Sequence, residues 1–341
     1  MRDGDMLILK GDEVLALLSG QELELMNIVR AAYLAHREGK SSLPHSVFLN
    51  FPDAPRNRII ALPAYLSDGF ELAGLKWVSS FPRNSELRMD RASAVLILNS
   101  TQTGRPAAIM EGSIISAKRT AASAALAAQS LHPEESVKRL GLIGCGLINF
   151  ETTRFLKAVY PGLNTLATFD LDVERARRFK AKCQDAWGEM DVEIASSVEA
   201  VFRSSSLISL ATTAARPHVF DLEGCAPGTT ILHISLRDLA PEVILSCDNI
   251  VDDVDHVCRA QTSVHLAEQL IGHRDFIRCT LADIVRGANR KRRDDGSISV
   301  FSPFGLGILD IAVGKLVYDL AVERRQGFFI ESFLPDSWLD R

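Results

Sequence analysis

The chain has 341 residues, of which 47% are hydrophobic and 24% charged, which is typical of a globular protein with a large core and, by length, two domains. Its formal net charge of −5 excludes the overall positive field that nucleic-acid-binding and anionic-membrane-binding proteins use. Met1–Lys10 lacks an apolar signal-peptide core and no stretch reaches the length of a membrane span, so we expect a cytoplasmic protein without nucleic-acid or membrane partners.

The first part of the chain predicts a helix, a sheet and a second helix. Helical periodicity covers Gln21–Glu38. Extended segments separated by Pro, Gly and Asp follow at Ser46–Phe51, Arg58–Pro63, Glu71–Ser79 and Ala94–Leu98. They indicate a mostly antiparallel sheet in a first domain that we place at residues 1–125. The Ala-rich stretch Ile114–Leu131 predicts a helix that leads into the second domain.

From Val137 onward, short β-branched runs alternate with helical ones. Helices are predicted at Leu147–Tyr160 and Val173–Ala186. Strands are predicted at Val137–Ile143, Thr165–Phe169, Val192–Ala195, Leu207–Ala211, Thr230–Ser235, Ile250–Val251 and Ser297–Phe301. This alternation predicts an α/β domain at residues 126–305 with a parallel sheet covered on both faces. A C-terminal helix, placed at about residues 306–341 and most regular over Leu306–Arg324, is expected to return to the first domain.

A glycine pair follows the first predicted strand of this α/β domain, in the sequence GLIGCGLINF. A dinucleotide-binding turn needs glycine at its first position for the tight turn and at its second for close approach of the pyrophosphate, and Gly144 and Gly146 fill these positions. The third position, which serves helix packing, holds Asn149. The motif alone is weak, but its place between strand and helix is the one that a cofactor site requires.

Asp170 lies at the end of the next predicted strand and strengthens this interpretation. A carboxylate there can accept both ribose hydroxyls and repel a 2′-phosphate, which favours NAD over NADP. Two alternatives stay open. Asp170 or Asp172 could instead cap the helix that starts near Val173, and Arg175, Arg177 and Arg178 leave room for NADP.

The cysteines and the single basic cluster do not point to a special function. No two cysteines form a C-x-x-C pair and no close Cys/His cluster exists, so we expect buried thiols, no disulfide framework and no metal site. Arg290–Arg293 is followed at once by two aspartates and a glycine, which favours a charged surface turn.

Several segments together resemble the ornithine cyclodeaminase/mu-crystallin family. They are LPAYL at Leu62–Leu66, GLKWVSSFPRN at Gly74–Asn84, TGRPAAIMEGSIISAKRTAASAALAA at Thr103–Ala128, the glycine loop, and VFSPFGLGILD at Val300–Asp310. The resemblance spans nearly the whole chain. It implies a Rossmann-type NAD domain, an α+β domain that binds substrate and mediates dimerisation, and a homodimer.

Within the family, four segments are most similar to the branch that makes 2,3-diaminopropionate for siderophores and peptide antibiotics. These are SSFPRN, RASAVLILN, GCGLINFE and ISLRDLAPE. The branch implies NAD-dependent oxidation and hydrolysis of N-(2-amino-2-carboxyethyl)-L-glutamate to L-2,3-diaminopropionate and 2-oxoglutarate. Other family activities remain alternatives: ornithine cyclodeaminase, alanine dehydrogenase, ketimine reductase, or a non-catalytic binder like mu-crystallin.

The resemblance also implies site residues. Lys76 matches a lysine that contacts the substrate carboxylate and polarises an imine. Arg119 matches an arginine that binds a substrate carboxylate through two parallel hydrogen bonds. Asp238 matches the catalytic aspartate that activates water, although SLRDLAPE differs from the glycine-rich segment of ornithine cyclodeaminases, which argues against ornithine as substrate. We add Asn84 and Arg91 to the substrate site, Arg91 for an extra carboxylate. The expected cofactor site comprises Thr120, Gly144, Gly146, Leu147, Ile148, Asp170, Thr212 and Ser302.

Each of the three main candidates has a structural alternative. Lys76 could be a surface lysine at a strand end, and Arg119 could lie on a helix surface, although its Ala-rich neighbourhood suggests a packed face. Asp238 could cap the short helix around Pro241, because aspartate is a favoured N-cap residue.

Overall fold

The computed structural model describes residues 4–132, 136–288 and 296–334. Its contacts divide the chain into two compact units, Met1–Arg119 with Leu306–Arg341, and Thr120–Gly305, as far as these residues are described. The domain boundary predicted after residue 125 stays a prediction, because one helix runs through it from Ser113 to Leu131.

From residue 4 to the end of that helix, the structure contains seven strands and three α-helices. The strands are β1 (Met6–Leu9), β2 (Ser41–Ser42), β3 (Val47–Asn50), β4 (Arg58–Leu66), β5 (Leu72–Ser80), β6 (Ala92–Ser100) and β7 (Pro106–Glu111). The α-helices are α1 (Gly11–Leu17), α2 (Glu22–Arg37) and α3 (Ser113–Leu131), and a 3₁₀ helix covers Pro82–Leu87.

The middle of the chain alternates strands and helices. The strands are β8 (Arg139–Ile143), β9 (Thr165–Phe169), β10 (Asp191–Ile194), β11 (Leu207–Leu210), β12 (Thr230–His233), β13 (Asp248–Val251), β14 (Ile277–Thr280) and β15 (Ser299–Ser302). The helices are α4 (Leu147–Val159), α5 (Val173–Trp187), α6 (Val198–Ser204), α7 (Pro241–Ser246), α8 (Val254–Val257), α9 (Ser263–Ile271) and α10 (Leu281–Val285). Helix α11 (Gly307–Arg324) and strand β16 (Phe328–Ile330) follow.

The first unit is built on one sheet with the strand order β16-β1-β7-β6-β5-β4-β2, and β3 also pairs with β4. All of its pairings are antiparallel except that of β1 with β7. Helix α11 packs against α2 and against β4, β5 and β6. Its glycines allow this close approach, since a Cβ at Gly314 would clash with the side chain of Leu96.

Within the described residues, the predicted C-terminal helix is shorter than expected. The helix ends at Arg324, Arg325 adopts a left-handed conformation with φ of 53°, and Gly327 has φ of 93°. These turns redirect the chain, so that β16 pairs antiparallel with β1 at the sheet edge. The run Phe328–Ile330 favours a strand because aromatic and β-branched residues fit a pleated surface.

The second unit contains an eight-stranded sheet in the order β10-β9-β8-β11-β12-β15-β13-β14. Every pairing in it is parallel. The Rossmann-type prediction is therefore confirmed. Strand order reverses between β8 and β11, and open α/β sheets bind ligands at the carboxyl ends of strands beside such a point.

Several elements were not predicted. Strands β1, β7, β14 and β16 are short, and periodicity over three to six residues is a weak signal. The basic cluster Arg290–Arg293 lies outside the described residues. In the described part of the chain, no helix is long and apolar enough to cross a membrane.

Candidate functional site

The glycine loop lies at the carboxyl end of β8, directly before α4. Gly144 has φ of 93°, and a Cβ there would clash with the carbonyl oxygen of Ala211 at the end of β11. Gly146 differs, because a Cβ on it would meet no atom within 4 Å. Gly144 is thus required by the fold, whereas the space beside Gly146 is open for a ligand.

Asn149 takes over the packing role of the missing third glycine. Its side chain is fully buried, and its Nδ2 donates to the carbonyl oxygens of Ile143, at 3.0 Å, and Gly144, at 2.7 Å. Its Oδ1 accepts a hydrogen bond from Ser209 Oγ at 2.7 Å. Asn149 therefore ties the first turn of α4 to the ends of β8 and β11.

The start of α4 can accept an anionic group. Gly146 is the N-cap residue and supplies no side-chain cap, and Leu147 and Ile148 form the first helical positions. Backbone N–H groups at a helix start point out of the helix, and the helix dipole favours negative charge there. Together with the open space at Gly146, these residues fit a cofactor pyrophosphate.

Asp170 lies next to this loop at the end of β9. Its Oδ2 accepts a hydrogen bond from the backbone N–H of Cys145 at 2.8 Å, and its Oδ1 accepts from the N–H of Asp172 at 2.9 Å. The cap of α5 is Asp172, whose carboxylate accepts from the N–H groups of Glu174 and Arg175. The capping alternative therefore applies to Asp172, and Asp170 remains beside the glycine loop.

The three arginines of α5 are already paired with acids of the same segment. Arg175 Nε and Arg178 Nη2 lie 4.0 and 3.7 Å from Asp172 Oδ2. Arg177 Nη1 lies 2.5 Å from Glu174 Oε1. This pairing gives them a solvated surface role and weakens the NADP alternative.

Asp238 follows β12 and is completely buried. Its Oδ1 accepts hydrogen bonds from Thr212 Oγ1 and from His218 Nε2, the latter at 3.0 Å. Its Oδ2 accepts from Ser235 Oγ, and His233 Nε2 lies 3.3 Å away. The cap of α7 is Ala240, so Asp238 does not have the capping role that its sequence position allowed.

The pKa of Asp238 is strongly lowered by these partners. Burial alone would raise it, but hydrogen bonds from His218, His233 and Ser235, together with the charge of His233, outweigh the burial. His233 Nε2 serves one partner at a time. When Nε2 carries a proton, it can donate that proton to the carboxylate. When Nε2 carries none, it accepts a hydrogen bond from the backbone N–H of Asp238, at 3.2 Å. Asp238 is therefore ionised throughout the neutral range.

The remaining predicted cofactor residues occupy different environments. Thr212 accepts from the N–H of Ala214 at 3.1 Å as it donates to Asp238. Ser302, at the end of β15, is buried and its Oγ lies 3.1 Å from His233 Nδ1. Thr120 is a half-buried residue of α3. The second unit thus brings Thr212 and Ser302 to the network around Asp238.

A second group of site residues lies in the first unit, around Asp310 of α11. Asp310 is fully buried; its Oδ2 lies 2.8 Å from Lys76 Nζ and its Oδ1 3.0 Å from Arg119 Nε. Lys76 Nζ also donates to Ser116 Oγ at 3.0 Å. Lys76 and Arg119 are 3% and 8% exposed, so their surface alternatives are excluded.

Two cations share one carboxylate in this cluster, which leaves one positive charge in excess. Burial lowers the pKa of Lys76 to about 8, although Asp310 raises it, and the charge of Arg119 lowers it further. At neutral pH, Lys76 is mainly protonated. Buried charge is costly unless it is paired, so the excess charge favours an incoming anion.

Two more arginines form a second positive group in the first unit. Arg58 lies directly opposite Ser80 in the β4–β5 pairing, and Arg91 Nη1 donates to Ser80 Oγ at 2.9 Å. Partial burial lowers the pKa of both arginines, and the charge of Arg58 lowers that of Arg91 further. Arg58 Nε is buried without a hydrogen-bond partner among the described residues.

This arginine pair lies on the same sheet face as Lys76. Side chains alternate along a strand, so Lys76 and Ser80 share a face, and their separation of four residues is about 13 Å. Helix α11 contacts the sheet at Leu62, which pairs with Lys76, and at Gly74, two residues before Lys76. The Arg58–Ser80 end lies on the other side of Lys76.

Asn84 has mainly a local contact. It lies in the 3₁₀ helix, and its Nδ2 donates to the carbonyl oxygen of Asp90 at 3.0 Å. This hydrogen bond shapes the loop that leads to Arg91. Asn84 therefore supports the segment around the arginine pair.

Sequence analysis missed four residues of these groups: Asp310, Arg58, His218 and His233. Asp310 belongs to the segment VFSPFGLGILD, which carried the resemblance, but no role was assigned to it. His218 follows β11 at the carboxyl edge of the predicted parallel sheet, a position that could have singled it out. Across the described residues, no group of three or more His, Cys, Asp and Glu side chains is arranged to hold a metal ion.

Known proteins support this architecture over nearly the full chain. Alanine dehydrogenase of Archaeoglobus fulgidus is 31% identical over 333 residues, covering 96% of this chain and 98% of that protein. N-((2S)-2-amino-2-carboxyethyl)-L-glutamate dehydrogenase of Staphylococcus aureus is 28% identical over 274 residues, covering 80% and 81%.

Two solved structures are similar throughout. Thermococcus litoralis Δ1-pyrroline-2-carboxylate reductase, in complex with NADH and L-proline, has a TM-score of 0.88 at 26% identity and covers 95% of this chain and 100% of that one. An archaeal alanine dehydrogenase dimer with bound NAD has a TM-score of 0.85 at 28% identity and covers 96% and 99%.

The family prediction is tested by a family model. The model of the ornithine cyclodeaminase/mu-crystallin family matches residues 6–325, which include both units and all the site residues described above. The chain belongs to the ornithine cyclodeaminase/mu-crystallin family.

Proposed function

We propose that this protein is an NAD-dependent oxidoreductase that acts on a CH–NH group, with N-(2-amino-2-carboxyethyl)-L-glutamate as substrate. Its products would be L-2,3-diaminopropionate, a building block for a siderophore or a peptide antibiotic, and 2-oxoglutarate. The Staphylococcus aureus relative, which bears the name of this activity, supports the choice. The observation that carries it is the arginine pair Arg58 and Arg91 on the Lys76 face of the first unit.

NAD fits the second unit at the glycine loop. Gly146, Leu147 and Ile148 would hold its pyrophosphate, and Asp170 would accept the ribose hydroxyls. Thr120, Thr212 and Ser302 complete the proposed cofactor site. Bound there, NAD would accept a hydride from the substrate carbon.

The substrate carries three carboxylates, and the charges of the first unit match them. The excess positive charge of Lys76, Arg119 and Asp310 would bind one carboxylate, with Arg119 as the forked donor. Arg58 and Arg91 have no acidic partner among the described residues and would bind another. Alanine and ornithine each have a single carboxylate and leave this second pair of charges unused.

The reaction has an oxidation and a hydrolysis. Oxidation removes a hydride from the glutamate Cα and a proton from the adjoining nitrogen, which leaves an imine. The Lys76 ammonium would polarise this imine, and water would add to its carbon. Breaking of the carbon–nitrogen bond then gives 2-oxoglutarate and diaminopropionate. Asp238, in the hydrogen-bonded network of the second unit, would support the proton transfers.

A homodimer through the first unit is part of the proposal. Val47, Ala61, Trp77 and Val95 form one cross-strand row on the face opposite Lys76, and three of the four are large exposed apolar residues. Exposed apolar patches of this kind mark association surfaces, and the archaeal alanine dehydrogenase neighbour is a dimer. Sedimentation should give a dimer for the wild type and a monomer for Trp77→Glu.

A substrate panel tests the proposal. The purified protein is supplied with NAD and either the synthetic conjugate, L-alanine or L-ornithine, and NADH, 2-oxoglutarate and diaminopropionate are quantified. We expect the three products in equal amounts from the conjugate and little turnover of the other amino acids. Efficient turnover of alanine, or conversion of ornithine to proline and ammonia, with the conjugate inert, would refute the proposal.

A further inference from the structure

Asp238 is too enclosed to activate water by itself. An ionised carboxylate offers about four acceptor positions. Thr212 and His218 contact Oδ1, while Ser235 and His233 contact Oδ2. The side chain is also completely buried. A group so enclosed can orient a neighbour, but it cannot itself reach a water molecule that attacks a substrate.

His218 is the most exposed of its four partners. The His218 side chain is 39% exposed, whereas that of His233 is fully buried. His218 Nε2 lies 3.0 Å from Asp238 Oδ1, which assigns the Nε2 proton to this hydrogen bond because a carboxylate is only an acceptor. Nδ1 then carries the lone pair, and it has no hydrogen-bond partner among the described residues.

The backbone fixes His218 against Asp238. The N–H groups of His218 and Val219 both donate to the carbonyl oxygen of Asp238 at 2.9 Å. The N–H of Ala240 in turn donates to the carbonyl oxygen of Val219 at 2.8 Å, within a parallel bridge of Val219 with Leu239. The two side chains are thus held by a built backbone pairing rather than by a chance surface contact.

We propose that His218 is the catalytic acid–base residue of the hydrolytic half of the reaction, and that Asp238 is its positioning residue. This inference rests on the proposed function. It changes the role expected of Asp238, which acts through the imidazole instead of on water directly. The arrangement follows the general logic in which a buried carboxylate fixes the tautomer of a histidine base and stabilises its cation.

The proton balance of this step is complete. As water oxygen bonds to the imine carbon, one water proton passes to Nδ1 of His218, and the electron pair of the carbon–nitrogen double bond moves to nitrogen. The resulting imidazolium, stabilised by Asp238, returns the proton to that nitrogen. Nδ1 of His218 then accepts the proton of the remaining hydroxyl and passes it to the same nitrogen. The carbon–nitrogen bond breaks, diaminopropionate leaves as the amine, and the carbonyl of 2-oxoglutarate forms.

His218 lies between the buried network and an open cavity. Asp238 and His233 lie on the buried side. On the other side, a cavity of about 130 Å³ is lined by His218 with Glu199 of α6, Asp221 and apolar residues.

Substitution of His218 tests the assignment. In His218→Gln, we expect kcat for the conjugate to fall by roughly 100-fold or more, the range of general acid–base catalysis, with NAD affinity unchanged. In His218→Ala, removal of the imidazole leaves a space that adjoins the cavity, and added imidazole should bind there and restore part of the activity. His273→Gln is the matched control, because His273 forms an exposed pair with Asp275 at 3.4 Å.

Nitrogen-15 NMR of the NAD-bound wild-type protein gives a readout that does not depend on activity. We expect the His218 signal, assigned by its loss in His218→Gln, to show a protonated Nε2 and an unprotonated Nδ1 in the neutral imidazole. A protonated Nδ1, or a His218→Gln enzyme with wild-type kcat, would overturn the inference. A wild-type enzyme inert toward the conjugate would instead refute the proposed function, since the tautomer can still be measured.

Discussion

Asp310 in the first unit and Asp238 in the second are both completely buried, and the partners of the two aspartates are of opposite kinds. Asp310 in the first unit holds two cations, Lys76 and Arg119, and the cluster keeps a positive charge. Asp238 in the second unit holds hydroxyl and imidazole groups, and the cluster keeps a negative charge while its histidines are neutral. The first arrangement attracts an anion, and the second fixes a proton carrier.

The comparison shows that a buried aspartate is understood from its partners rather than from its own burial. Both carboxylates are 0% exposed. A carboxylate surrounded by cations neutralises part of their charge and sets how much remains for substrate. A carboxylate surrounded by hydroxyl and imidazole donors stays ionised and defines which nitrogen of a histidine is protonated. The same residue type thus supports binding in one unit and chemistry in the other.

The largest expected effect separates two glycines of the second unit. Gly146→Val should abolish NAD binding with the unfolding midpoint unchanged, because its Cβ enters only the open space meant for the cofactor. Gly144→Val should impair folding as well, since it combines a positive φ with a clash at Ala211. Calorimetric NAD titration and urea unfolding measure the two properties. NAD binding retained in Gly146→Val would show that the cofactor lies elsewhere.

Removing the shared carboxylate of the first unit should strongly lower the free energy of unfolding. Asp310→Ala leaves Lys76 and Arg119 buried without their acid, and we expect a loss of about 3–5 kcal/mol in the free energy of unfolding. Asp319→Ala is the control, because Asp319 forms an exposed ion pair with Lys315 on the helix surface, where a loss of about 0.3–0.5 kcal/mol is expected. Similar losses in both variants would contradict the central role of Asp310.

The pH dependence of stability should distinguish the two clusters. Lys76 has a folded-state pKa of about 8, below its ordinary 10.5, so the unfolded chain binds more protons between these values and stability rises with pH there. The gain should be on the order of 3 kcal/mol and absent in Lys76→Met. For Asp238, whose pKa is lowered, stability should fall below about pH 4, and less so in Asp238→Asn.

Unfolding curves recorded from acid to alkaline pH measure stability in both pH ranges. The activity provides a second readout, because deprotonation of Lys76 removes the excess charge. We expect KM for the conjugate to rise above pH 8 with little change in NAD affinity. A KM that is flat to pH 10 would contradict the assignment of Lys76 to the substrate carboxylate.

A smaller effect is expected at the ribose acid. Asp170→Ala should weaken NAD binding by about 1.5–3 kcal/mol, the scale of a hydrogen bond to a charged group. It should also reduce the difference in affinity between NAD and NADP. Asp172→Ala is the matched control, because it removes the α5 cap and costs about 1 kcal/mol of stability without touching the loop. Equal NAD affinity in Asp170→Ala and wild type would show that another acid binds the ribose.

Much of the fold could be predicted because its signals are local. The strand at Thr165–Phe169 and the start of α5 at Val173 agree with the sequence pattern, since each depends on a few neighbouring residues. The glycine loop and Asp170 were found the same way. The redirection at Arg325 was missed, because it depends on the edge of β1, which lies at the other end of the chain.

The site was harder to predict because its partners are distant in sequence. Arg119 and Asp310 are 191 residues apart, and no local pattern announces their contact. Arg58 meets Ser80 only through the strand register, and His218 meets Asp238 across a parallel bridge. Resemblance identified Lys76, Arg119 and Asp238, but their charge balance and hydrogen-bond partners became known only from the fold.

The selection of a polycarboxylate by the first unit is the central claim, and one ratio tests it most directly. We would measure kcat/KM for the conjugate and for its analogue with the glutamate γ-carboxylate replaced by an amide, in wild type, Arg91→Met and the exposed control Arg83→Met. Wild type and control should prefer the conjugate by about tenfold or more, and Arg91→Met should lose most of that preference. An unchanged preference in Arg91→Met, or none in wild type, would contradict the account.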